Sequence, residues 1–433
     1  MASLLVARGI SKKSVVILTL VIGIITTFLN QQTQQKSPNQ TQSKRRRLSA
    51  TTTTTLLLNS QTDTTNHRRL LHTRAFPSWK SKHPDESWCV RREPHPKAPK
   101  GLIFVKNYKT GSSTVSGLAK RIARLHGDDG QDHDAEADDE SGGGVTCEAY
   151  WRHNPAWEYR NREPQSFLFG SVRHPTKRAI SHVFFEFVSR LGGTASDSFM
   201  IDRLKFVTEP FPIKWALRKD GAWKTQKWAS FQSSYMSLRD PEDLFVDLKD
   251  EEEINEWEKD IVKEIIDEYD LMMVSERMDE SLVVLQILLG LDSGDLLYLK
   301  SKVGGSQWLY DNQQNKCVKL EKTTLSEKVV DYLASEEWEK RISGDLLLYT
   351  AASRSLDATI AKIGRKKFKK AYDEYQLVLE YAQGVCGASA VWPCTANGTY
   401  QEEFELDCEA GDQGCGLRCL DNLTRTGVWA DII

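Results

Sequence analysis

Two short stretches gather hydroxyls, a glycine and cations where an apolar run gives way to a helical pattern. The first is Lys109-Thr110-Gly111-Ser112-Ser113-Thr114; the second is Arg173-His174-Pro175, with Ser181 eight residues beyond Arg173. A helix N-terminus exposes N–H donors and the positive end of its dipole, and so makes an anion site. Gly111 lets the backbone approach a ligand, Ser112, Ser113 and Thr114 add hydroxyl donors, and Lys109 adds charge. In the second stretch an Arg fork and a hydroxyl converge in a way that suits a phosphate. The chemistry is therefore binding of phosphate-like or sulfate-like groups. The Walker A pattern is absent: the lysine precedes the glycine instead of following it, which disfavours an ordinary nucleoside triphosphatase. The plainer alternatives are a capped helix with a surface lysine and an arginine in a structural ion pair.

The elements that position these residues are legible as periodicities. Leu102–Val105 reads as a short buried strand, followed by a helix with Val115, Leu118, Ile122 and Leu125 on one face and Gly127 closing it. Phe167–Val172 reads as a second strand. Pro175 ends it, Thr176 caps the next helix, and Ala179, Ile180, Val183, Phe184, Phe187, Val188 and Leu191 mark its apolar face. Arg173 thus falls at the carboxyl end of a strand, where α/β folds place ligands. The spacing predicts one α/β domain over 100–375, with a central, mostly parallel sheet flanked by helices. Residues 30–99 read as a flexible stem and irregular leader, and 380–433 as a Cys-rich appendage. Gly127–Gly144 is an acidic insertion without a usable EF-hand register and reads as solvated surface.

The N-terminus sets the compartment. Val15–Leu29 carries no charge and follows Arg8, Lys12 and Lys13, at roughly 22 Å of helix. The favoured reading is an uncleaved signal anchor over 14–29 with residues 1–13 cytosolic; a cleaved signal peptide is the alternative. Either puts the bulk of the chain in the secretory lumen. Sequons at Asn39, Asn397 and Asn422 agree. Five cysteines, Cys386, Cys394, Cys408, Cys415 and Cys419, crowd the C-terminal end. In an oxidising lumen they read as a disulfide framework, with Cys317 the nearest partner for the odd one. A zinc site is the weaker alternative. With 433 residues, 27% charged and 39% hydrophobic, the chain is neither polytopic nor wholly disordered; a net charge of −2 offers no basic field for nucleic acid.

Taken together, the two junctions resemble the Golgi sulfotransferases that use 3′-phosphoadenosine 5′-phosphosulfate (PAPS). A third segment, Tyr269-Asp-Leu-Met-Met-Val-Ser-Glu-Arg-Met-Asp-Glu-Ser-Leu up to Leu289, is similar to one in galactose 3-O-sulfotransferases and cerebroside sulfotransferase. Leu346–Tyr349 with Leu356–Thr359 is a fainter echo of that family's last catalytic helix. The resemblance covers about 100–365 and implies a P-loop-like sulfotransferase fold on a single-pass type II Golgi membrane protein. It implies that Lys106, Lys109, Thr110, Gly111, Ser112, Ser113 and Thr114 form the 5′-phosphosulfate loop, with Lys109 near the bridging oxygen. Arg173 and Ser181 would take the 3′-phosphate. The implied acceptor is a hydroxyl of a galactose-like sugar on a glycan or glycolipid, and no metal is called for.

The acceptor needs a general base. Relatives commonly carry a His immediately before the loop lysine, whereas this chain has Tyr108. His153 is the first candidate and Glu276, at a strand end, the second, with capping or an ion pair to Arg277 as its plainer role. His182 reads as structural or cofactor-adjacent, and His174, before Pro175, as a turn residue. Two other function classes compete. A lumenal glycan kinase or glycosyltransferase would commonly show a D-x-D motif at a strand end, but Asp132-His-Asp134 falls in the insertion. A noncatalytic carbohydrate-binding ectodomain is disfavoured by the presence of both Lys109 and Arg173.

Overall fold

The computed structural model describes residues 72–84, 88–89, 101–126, 149–150, 153–209, 227–246, 250–311, 314–403, 407–408 and 414–428. The expected cytosolic tail, anchor and acidic insertion, and the stem before residue 72, lie outside the described residues. Among the described residues no helix is long and apolar enough to cross a membrane.

Leu102–Val105 forms β1 and Ser112–Leu125 forms α1. Ala149–Tyr150 is the two-residue β2, and Phe167–Val172 is β3. Pro175–His182 is α2, continued by a π-helix over Val183–Arg190, and Asp197–Val207 is α3. Glu251–Glu268 (α4) leads into Leu271–Val274 (β4) and Met278–Leu289 (α5). Gln307–Asp311 (β5) and Lys316–Lys319 (β6) make a hairpin. Three helices follow: Glu336–Ile363 (α6), Arg365–Ser389 (α7) and Leu417–Thr426 (α8).

β1, β3 and β4 pair in parallel in the order β1-β3-β4, with β2 added in parallel on the outer edge of β1. Every residue of β1, β3 and β4 is buried. Both faces of a parallel sheet must be covered, which is why these strands read as unbroken apolar runs. The expected α/β architecture with a central parallel sheet is therefore the observed one. Parallel strands also end on the same edge. Val105, Val172 and Val274 close the three strands, so the segments carrying Lys109, Arg173 and Glu276 leave the sheet side by side.

Three expectations need correction. The described part of the leader, residues 72–84 and 88–89, belongs to the fold. Phe76 and Trp79 are buried in the main core, and Arg74 donates to the carbonyls of Ile266 (2.7 Å) and Tyr269 (2.6 Å). Burying a side chain the size of Phe contributes about 1.5–3 kcal/mol, a signal that periodicity does not register in so short a segment.

The C-terminal region is likewise no appendage. α7 runs unbroken through the expected boundary, and its Tyr375, Val378 and Leu379 join Leu420 and Leu423 of α8 in the main core. Arg121 of α1, fully buried, donates to Asp421 at 2.6 Å and to the carbonyls of Gly294, Asp295, Leu297 and Leu420. Among the described residues the bridges are Cys317–Cys394, Cys386–Cys419 and Cys408–Cys415, so the odd cysteine of the C-terminal group does pair with Cys317.

The third correction is local. Thr176 does not cap α2: Pro175 opens the helix, where its missing N–H costs nothing, and the Thr176 hydroxyl accepts from Trp338 Nε1 at 2.9 Å. The helix then does not keep its α winding as far as Leu191. From Val183 it widens, with Leu191 N donating to Glu186 O five residues back, and Leu191 ends 62% exposed.

Candidate functional site

The loop from β1 to α1 is held by backbone and hydroxyl contacts. Thr110 Oγ1 bonds Asn107 O (3.0 Å) and Ser171 Oγ of β3 (2.7 Å). Ser275, just after β4, donates to Thr110 O. Gly111 sits at φ 78°, a conformation that glycine adopts without penalty, and a Cβ there would lie 2.5 Å from Met278 Cε. The third motif segment therefore packs directly on the glycine of the first. Gly111 offers no side-chain cap to α1, and no acidic residue occupies the first turn. The positive end of α1 thus meets whatever lies beyond Ser112, Ser113 and Thr114.

Beyond them lies a cleft of about 840 Å³. Its lining includes Lys109, Gly111, Ser112, Ser113, Thr114, His153, Arg173 and Ser181, so eight of the predicted site residues meet in one cavity. Lys106, Thr110 and Glu276 are not among the lining residues. Lys106 is buried and its carbonyl accepts from Tyr235 Oη (3.1 Å) and from His153 Nδ1 (2.8 Å). Glu276 accepts from the backbone N–H of His174 and lies 4.0 Å from Arg173 Nε and 3.9 Å from Lys177 Nζ. Arg277 pairs instead with Glu280 and Asp357.

Arg173 ties the two junctions together. Its Nη1 donates to Lys109 O at 3.1 Å, bracing a lysine held at φ 61°. Its own backbone exchanges two bonds with the Gln232 amide, N to Oε1 at 3.1 Å and Nε2 to O at 3.0 Å. The guanidinium is thus oriented from behind while it lines the cleft.

Sequence periodicity missed the opposite wall. Phe185, Glu186, Phe187 and Arg190 of the π-helix line the cleft, as do Lys302, Trp308, Leu309 and Tyr310. The Lys109 ammonium lies 3.6 Å from the Phe185 ring centroid. Lys302 Nζ lies 5.1 Å from that centroid and 4.0 Å from that of Trp308, and Arg190 stands over Tyr310 at 4.7 Å. A 3.6-residue period assigns Phe184 and Phe187 to one apolar face; with the wider π turn Phe184 stays in the core while Phe185 and Phe187 line the cleft. No periodicity in Gln307–Asp311 marks its distant partner.

Among the described residues, lining cations Lys109, Arg173, Arg190 and Lys302 face one lining carboxylate, Glu186, which Arg190 pairs at 2.7 Å. Like charges and burial depress the basic groups. Burial and Arg173 lower Lys109 to about 7. Burial, Lys109 and Lys106 hold Lys302 well below the usual lysine range. Burial, then Lys106, lowers His153 to about 3. His153 is therefore neutral, and its Nδ1–H bond to Lys106 O leaves Nε2 as the basic nitrogen. Its ring stacks on Tyr108 at 4.4 Å, and Tyr108 faces His182 at 6.0 Å. An anion entering the cleft would relieve the mutual repulsion of these cations. Among the described residues there is no group of His, Cys, Asp and Glu that could hold a metal ion.

Comparison with protein-family models, curated proteins and solved structures gives no match for this chain.

Proposed function

We propose that the cleft binds PAPS and transfers its sulfuryl group to a hydroxyl of a galactose-like sugar on a glycan or glycolipid, on a P-loop-like sulfotransferase fold. In this reading the protein works in the Golgi lumen behind its N-terminal anchor. One observation carries the reading. Two sequence-distant strand-to-helix junctions, the uncapped start of α1 with Lys109 and the Arg173/Ser181 pair, line a single cation-rich cleft beside a neutral histidine.

Each residue then has a physical task. The first turn of α1 and the hydroxyls of Ser112, Ser113 and Thr114 hold the 5′-phosphosulfate. Arg173 and Ser181 hold the 3′-phosphate, and Gln232 keeps the Arg backbone in register. In transfer, the acceptor oxygen forms a bond to sulfur as the bond from sulfur to the bridging oxygen breaks. His153 Nε2 takes the hydroxyl proton. Lys109 meets the charge that develops on the departing phosphate oxygen. Donor binding adds negative charge beside Lys109 and His153, which raises both pKa values and makes His153 a stronger base when the donor is present. Glu276, occupied by His174 N–H and by Arg173, fits a bracing role better than that of the base.

The test is a thermal-shift titration with adenosine 3′,5′-bisphosphate against ATP and UDP. Stabilisation by the bisphosphate alone supports the donor assignment. No shift in a folded protein sinks it and favours a noncatalytic ectodomain.

A further inference from the structure

Half of the wall opposite the sheet edge comes from a hairpin far in sequence from both strand-to-helix junctions. Among the described residues β5 and β6 pair only with each other, and a lone two-stranded hairpin has little stability of its own. Among its described side chains only Leu309 is buried, at 2% exposure, and it packs against Cys394, Cys408 and Cys415. Leu309 pairs in register with Cys317, so the Cys317–Cys394 bridge leaves the hairpin opposite its single apolar anchor. Cys394 in turn follows α7, whose Tyr375, Val378, Leu379 and Cys386 sit in the main core. The residues flanking Leu309 are Trp308 and Tyr310, whose rings hold Lys302 and Arg190. Lys302 takes a left-handed backbone, φ 55°, which is uncommon for a residue other than glycine.

We propose that Trp308 and the Cys317–Cys394 disulfide are positioning elements of the cleft: the bridge clamps the hairpin, and the hairpin's rings set Lys302 and Arg190 at the anion site. The inference rests on the anion-binding reading of the cleft given above. Neither Trp308 nor the bridge need touch the reacting atoms. A ring face attracts a cation through its quadrupole, so a ring held rigidly fixes where the charge stands. The fixed ring spares the lysine some of the ordering cost it otherwise meets on binding.

The experiment compares Trp308→Ala with Trp308→Phe, and the double variant Cys317→Ser/Cys394→Ser with the wild type, all in the full chain. Two quantities are measured: affinity for adenosine 3′,5′-bisphosphate, and amide hydrogen exchange across residues 305–320 without ligand. Trp308→Ala weakens the bisphosphate about tenfold and Trp308→Phe, which keeps a ring, recovers most of the loss. Removing the 317–394 bridge weakens the bisphosphate to a similar degree and speeds exchange across the hairpin about tenfold or more. Unchanged affinity in Trp308→Ala, or unchanged hairpin exchange without the 317–394 bridge, overturns the inference. If the wild-type chain binds no bisphosphate, the donor reading falls instead, and the exchange comparison alone decides the clamp. If the double cysteine variant does not fold, the Trp308 pair decides.

Discussion

The two walls of the cleft are built by opposite means. One wall is the edge of the parallel sheet, where β1 and β3 end and α1 and α2 begin. Its residues lie within a few positions of strands buried on both faces, and short-range bonds such as Arg173 to Lys109 O lock it. The other wall is a π-helix and a hairpin, held to a tail some seventy residues away by a disulfide of sequence separation 77. The first wall inherits its geometry from the sheet. The second also depends on a disulfide and on cation–aromatic contacts between residues far apart in the chain. That difference teaches where each wall should fail. Damage near the sheet edge should act on chemistry with the fold intact, whereas damage to the tail should act on stability and on cleft shape together.

The largest expected effect is on the sheet-edge wall. Lys109→Ala should lower turnover by about a thousandfold or more, as loss of a charge that meets the leaving group does. Single-turnover transfer from PAPS checks it, and retained turnover would remove Lys109 from the leaving-group role. Next comes the tail. Asp421→Asn leaves Arg121 buried with a weaker partner and should cost about 3–5 kcal/mol of stability. Denaturant unfolding measures this; a loss below about 1 kcal/mol would show that the C-terminal region is a separable appendage after all.

Arg173→Ala should weaken adenosine 3′,5′-bisphosphate by about 2–3 kcal/mol, the scale of a lost charge-assisted contact. Calorimetric affinity that does not change would make Arg173 a purely structural brace of Lys109. Gly111→Ala should destabilise by about 1–2 kcal/mol through its positive φ and the Met278 contact. Adding Met278→Ala should recover only the steric part; full recovery would show that the backbone conformation carries no strain.

The smallest effect is a proton count. Lys109 titrates at about 7 in the ligand-free protein. At pH 8 it is mostly neutral, and an anion that raises its pKa makes binding take up close to about one proton. At pH 6 Lys109 is already charged and contributes no uptake. His153, at about 3, is neutral at both values. Bisphosphate calorimetry in buffers of different ionisation heat reads this number, and Lys109→Met should abolish the uptake at pH 8. Uptake that persists would assign the proton to another group of the cleft, Lys302 first.

Much of the sheet-edge wall was legible in the sequence because its signals are local. Leu102–Val105 and Phe167–Val172 are apolar runs of strand length, and a parallel sheet needs such runs. The position of Arg173 two residues before Pro175 followed from the same reading. Lys106 and Thr110 belong to the same loop motif, yet both are buried away from the cleft lining, and Glu276 faces Arg173 and Lys177. A motif specifies which residues share a loop, not which of them point inward. Thr176 and Leu191 show the complementary limit. Both were assigned by a regular α-helix, and the π winding after Val183 depends on tertiary contacts that a 3.6-residue period cannot register.

By itself the sequence determined the parallel α/β core, the two junctions, the oxidised tail and the partner of the odd cysteine. These rest on interactions between near neighbours in the chain, on compartment chemistry and on cysteine count. Only the tertiary structure decided that Phe76 and Trp79 belong to the core and that Asp421 neutralises Arg121. It alone also brought Phe185, Lys302, Trp308 and Tyr310 to face Lys109. The physical reason is one of range. Strand and helix patterns report local burial, whereas the cleft's charge balance arises from side chains hundreds of residues apart, whose meeting is set by packing and a disulfide and leaves no periodic trace.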